Sequence, residues 1–128
     1  MQPHTRAIVA AAAYAVLTGR KVAGLYDHAA GMHLRIAAEC RDSRVQAYDG
    51  ARAATLAGTL PELFDEGAHA FISLEADGMT ARGYDRGSAT AYEANVTDRL
   101  VQLYDHGEGA WFAYDVQAVA ADTVADNA

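Results

Sequence analysis

Two histidines share one sequence setting. His28 follows Tyr26-Asp27, and His106 follows Tyr104-Asp105. Imidazole nitrogens and carboxylate oxygens are ligands for zinc and related transition metals. His28 and His106, with Asp27 and Asp105, therefore form a candidate metal set, provided the fold makes the two segments neighbours. The plainer alternative is a pair of exposed turn histidines. Five aspartates, Asp27, Asp49, Asp65, Asp85 and Asp105, each follow an aromatic residue. As a ring they could gather cations. A hard cation needs several oxygens at one point, and turns two strands apart hold such groups about 10 Å apart. Their competing role is local, each carboxylate accepting backbone N–H groups of its own turn.

Other chemistry is thin. Cys40 stands beside Arg41 with no histidine near it in sequence, and a reactive thiol needs a lowered pKa. The chain has no GxSxG, P-loop, HExxH, CxxC or GxGxxG, and Gly107-Glu108-Gly109 suits a turn because no helix follows it. No catalytic residue and no cofactor are expected. A hydrolase or metal enzyme would have to rest on His28, His106 and the Asp set.

The aromatic-Asp pairs Tyr26-Asp27, Tyr48-Asp49, Phe64-Asp65, Tyr84-Asp85 and Tyr104-Asp105 recur at spacings of 22, 16, 20 and 20. Such a period marks a repeat architecture. Before each aromatic residue the pattern alternates, as in Val45-Gln46-Ala47 and Val101-Gln102-Leu103, which predicts a strand. After each pair come turn formers such as Arg86-Gly87-Ser88. A second alternating strand follows. Its inward sets are Met32, Leu34, Ile36, Ala38; Ala54, Leu56, Gly58, Leu60; Ala70, Ile72, Leu74, Ala76; Thr90, Tyr92, Ala94, Val96; and Ala110, Phe112, Tyr114, Val116. Each repeat is thus a β-hairpin, and five hairpins give ten antiparallel strands.

One apolar face must be covered and two sheet edges protected, and closure into a barrel does both. Ten tilted strands enclose a backbone diameter of roughly 20 Å, wide enough for an α-helix about 10 Å across. Residues 5–18 supply that helix. The apolar run from Ala7 to Leu17 is too short to span a bilayer. Arg20-Lys21 follow where a signal peptide would place small residues. Thr5 can cap the helix start and Gly19 can end it. The expected fold is mainly β: five β-hairpin repeats closing into a roughly ten-stranded antiparallel barrel around an N-terminal apolar α-helix. It forms one domain over 1–128, with hairpins over 20–117 and a tail over 118–128. The competing arrangement packs the helix outside.

Five short hairpins in a ring, each with a YD-type turn, resemble bacterial β-flower proteins, bacterial proteins with repeated YDxG hairpins and, more distantly, tubby-like barrels. The resemblance covers about residues 5–117. It implies antiparallel strands wrapped around a central apolar helix. Some tubby-like members bind phosphoinositides through basic pockets, and basic residues are few in this chain.

In the predicted register Phe71 and Trp111 point outward at one repeat position, with Ala91 between them. Exposed apolar patches mark interfaces, so these two are the candidate partner-binding residues, unless the tail covers them. With 17 acidic against 10 basic residues, the net charge of −7 argues against nucleic acid and anionic membranes as partners. A lone cysteine excludes an internal disulfide, and the protein is expected to be cytoplasmic. The function expected is a non-enzymatic binding or structural module with a protein partner or a homo-oligomeric assembly. The alternative is a carrier of an apolar ligand or lipid in the barrel lumen.

Overall fold

A computed structural model describes residues 1–119. It begins with α1 (Pro3–Thr18). Pro3 sits at the first helical position, where its fixed φ suits helix entry and its missing N–H is not needed. Gln2 is therefore the N-cap, without a side-chain cap bond. Thr5, expected to cap, lies buried in the first turn instead. Gly19 ends the helix in the left-handed conformation (φ 72°), its N–H donating to the Ala15 carbonyl at 2.9 Å.

Twelve strands follow: β1 (Lys21–Asp27), β2 (Met32–Leu34), β3 (Ile36–Arg41), β4 (Arg44–Asp49), β5 (Ala54–Thr59), β6 (Glu62–Asp65), β7 (Ala70–Ser73), β8 (Glu75–Asp77), β9 (Thr80–Asp85), β10 (Thr90–Thr97), β11 (Leu100–Asp105) and β12 (Ala110–Val119). β2 and β3 continue one line of the wall interrupted at Arg35, and β7 and β8 one interrupted at Leu74. Counted so, the wall has ten strands. It closes where β12 pairs antiparallel with β1, from Lys21↔Val119 to Asp27↔Tyr114.

The helix fills the lumen. It touches β1, β3 and β4 on one side and β8 through β12 on the other. Every residue from Thr5 to Ala15 is buried. Most of these are alanines, short enough for the wall to close around them. Leu25, Leu56, Leu63, Ile72, Leu74 and Leu103 pack inward from the wall. Residues 120–128, most of the expected tail, lie outside the described residues, whereas residues 118 and 119 extend β12.

The five hairpin turns are built alike. Each Asp pairs with the residue five positions on: Asp27↔Met32, Asp49↔Ala54, Asp65↔Ala70, Asp85↔Thr90, Asp105↔Ala110. The residue just before that partner is left-handed in all five: Gly31, Ala53, His69, Ala89 and Gly109, with φ between 51° and 66°. The predicted inward phase, which on the first strand of each hairpin includes Ala23 and Pro61 three residues before the aromatic, holds at most positions and slips at four. Pro61 is exposed in the turn before β6. Ala23 is exposed because β1 bulges between Val22 and Gly24, which puts Val22 inside. Met32 is exposed at the barrel mouth, and Ala76 on β8, past the break at Leu74.

Candidate functional site

The hairpin register carries all five Asp side chains inward at one end of the barrel, where each is buried. Every one closes its own turn. Oδ1 accepts from Ala29 and Ala30 at Asp27, from Ala51 and Arg52 at Asp49, from Gly67 at Asp65, from Gly87 at Asp85, and from Gly107 and Glu108 at Asp105. The N-terminus of α1 enters this same end, so the carboxylates surround the positive end of the helix dipole. The helix has no acidic residue in its own first turn, and the wall supplies that charge.

The second carboxylate oxygens differ. Asp105 Oδ2 receives Arg6 Nη1 and the Met1 ammonium, both at 3.1 Å. Arg6 also stacks over the Phe112 ring at 3.7 Å. Burial alone would raise the Asp105 pKa. The Met1 ammonium, the Glu108 and Gly107 N–H groups and Arg6 overcome that and hold it below the usual carboxylate value. Asp49 Oδ2 receives Arg52 Nε at 2.9 Å, and Asp85 Oδ2 receives the Ser88 hydroxyl at 2.8 Å. Asp65 Oδ2 is sealed and has no partner among the described residues. Between the first turn of α1 and the β2–β3 wall lies a cleft of about 490 Å3, lined by Asp27, Asp49, Arg35, Arg52, His4, His33 and apolar side chains. Burial, then the nearby Arg52 charge, lowers the His4 pKa against the opposing pull of Asp65 and Asp49.

The outer wall carries the aromatic residues at the level just below the turns. Phe64 meets Phe71 edge-on at 5.0 Å, Tyr104 meets Trp111 at 5.1 Å, and Tyr26 meets His33 at 4.9 Å. Tyr84 pairs with Ala91, and Tyr48 with Thr55. The repeated aromatics thus pack across strands on the outer face. Phe71 and Trp111 do point outward, 49% and 53% exposed; Tyr84 is exposed on β9, next to the strand of Phe71, and Tyr48 is exposed on β4, three strands from either.

His28 and His106 lie on the outer wall too, in matching places on two seams. His28 Nε2 meets Asp115 Oδ2 at 2.9 Å, and His106 Nε2 meets Glu93 Oε2 at 2.9 Å. Each ring packs edge-on against its own Tyr, Tyr26 or Tyr104. Asp27 and Asp105 face inward, so the four residues are not gathered at one point. No group of three or more His, Cys, Asp or Glu side chains converges among the described residues. Asp115 and Glu93 escaped the sequence reading because they become partners only through pairing between hairpins, β12 with β1 and β10 with β11. Cys40 is half-buried, and burial raises its pKa. The lumen that an apolar cargo would have to enter is occupied by α1.

The fold defines a ten-stranded β-barrel wound on its own N-terminal helix. Comparison with protein-family models, with curated proteins and with solved structures returns no match. No helix among the described residues is long and apolar enough to cross a membrane.

Proposed function

We propose that this protein is a non-enzymatic, cytoplasmic binding module that associates with a second copy of itself through its outer aromatic wall, centred on Phe71 and Trp111. The observation that carries this reading is their exposure at one repeat position, Phe71 on β7 beside exposed Tyr84 on β9 and Trp111 on β12, four strands from Phe71 around the wall. Buried aromatics supply large contact area and directional ring packing. Each contributes roughly 2–3 kcal/mol when fully desolvated. A stable interface needs about 1,200–2,000 Å2 in total, so neighbouring wall residues must join them. A net charge of −7 disfavours nucleic acid and anionic membranes as partners. The helix-filled barrel supports kinship in architecture with tubby-like and β-flower barrels. Sedimentation of the parent and of Trp111→Ser tests the proposal. The parent should be oligomeric at high micromolar concentration and the variant should shift toward monomer. A monomeric parent overturns the reading, and an oligomer indifferent to Trp111→Ser removes this face from the interface.

A further inference from the structure

The cleft at the barrel mouth is independent of the outer aromatic wall. Its surface is largely apolar, with Ala7, Leu34 and Ile36 lining it. Arg52 holds Asp49 at 2.9 Å, and its Nη2 is sealed away without a partner among the described residues. Exposed Arg35 reaches toward the Gly50 carbonyl at 3.4 Å. Asp27 differs from the paired Asp49 carboxylate and the sealed Arg52 guanidinium in keeping an oxygen that is open and has no donor. It is only 8% exposed. Its Oδ1 takes the Ala29 and Ala30 N–H groups, but among the described residues no donor reaches Oδ2. Unlike Asp65 Oδ2, that oxygen is not sealed.

The repeat explains the vacancy. The third residue after the Asp supplies the donor to Oδ2 in two hairpins, Arg52 to Asp49 and Ser88 to Asp85. In the first hairpin this position is Ala30, which has no donor and lines the cleft. A largely buried carboxylate oxygen gains most from a charged donor brought to it. The geometry points to a binding site for a small primary amine with an apolar chain, its ammonium donating to Asp27 Oδ2 and its chain lying against Ala7, Leu34 and Ile36.

Titration of the full chain with hexylammonium, 1-hexanol and hexanoate, followed by amide NMR at neutral pH, tests this. Hexylammonium should shift the Ala29, Ala30 and Leu34 amides and bind about tenfold tighter than 1-hexanol. Hexanoate probes the opposite field, that of Arg52 and the helix N-terminus, and should bind most weakly. Asp27→Asn keeps the Oδ1 acceptor of the turn and should remove the preference for the amine. Ala30→Arg leaves Asp27 intact and places a guanidinium where Arg52 stands in the second hairpin, so it should weaken hexylammonium about tenfold. Equal affinity for the three probes, a preference for hexanoate, or unchanged amine binding in Ala30→Arg would overturn the site. If Asp27→Asn does not fold, Ala30→Arg alone decides.

Discussion

One residue type does two jobs at the barrel mouth, and the five copies separate them. Oδ1 closes the turn in every hairpin, while Oδ2 is engaged, sealed or open according to its neighbours. Asp105→Asn should therefore cost about 1–3 kcal/mol, because it leaves buried Arg6 short of its charged partner. Asp65→Asn should cost clearly less, since it removes the charge of a carboxylate whose Oδ2 has no partner among the described residues. Urea unfolding of both variants checks the order. Asp105 also sets an acid limit. Its folded pKa is depressed, so its stabilisation is complete above the unfolded value of about 3.9 and fades as pH falls through the lower folded value. The stability gap between parent and Asp105→Asn should shrink below that pH, and a gap constant down to pH 2 would contradict the pairing. The left-handed turn position gives a further test. Ala89 sits at φ 54° where the first and last hairpins carry Gly31 and Gly109. Relief of the left-handed penalty outweighs the chain entropy of glycine. Ala89→Gly should stabilise by about 0.5 kcal/mol, read as a raised urea midpoint.

At the scale of elements, the hairpin is what the sequence makes legible. Tyr-Asp pairs, alternation and turn formers recur locally, and each bears on a period of two or on one turn. Pairing between hairpins is less visible, because it depends on how far each hairpin steps along its neighbour. Asp65 pairs Leu56, two residues past Ala54, whereas Asp49 pairs Ile36, four past Met32. The partners of His28 and His106, and the bulge that turns Ala23 outward, follow from those steps. Trp111 and Phe71 were readable because their phase is set within their own strand. Gly83 shows the limit from the other side. It takes the place that Leu25, Ala47, Leu63 and Leu103 hold in the other repeats. A Cβ there would run into the Ser73 carbonyl and the Tyr92 hydroxyl. That hydroxyl donates to the same carbonyl at 2.7 Å, and burial raises the Tyr92 pKa so that the proton stays. Gly83→Ala should cost about 3 kcal/mol by overpacking this seam. A variant with parental stability in urea would contradict the close approach.

For the whole molecule, closure and filling are one solution. The wall closes because β12 meets β1, and among the described residues only the short β2 and β8 pair on one side alone; α1 occupies the lumen. The sequence allowed this inference from the all-round apolar character of the run from Ala7 to Leu17, since a helix without a polar face must be covered on every side. It left inside and outside placements both open, because short alanine faces pack against either surface of a sheet. With the helix as the barrel core, the surfaces left for a partner are the outer wall and the mouth, and the helix cannot open without losing the barrel. Native-state hydrogen exchange of the α1 amides is the most direct test. The amides of Ala10 to Ala15 should exchange only through global unfolding, with an opening free energy equal to that of the inner strands β4 and β11. Exchange of these amides at a much lower opening free energy, while the strands stay protected, would contradict a helix enclosed by the barrel.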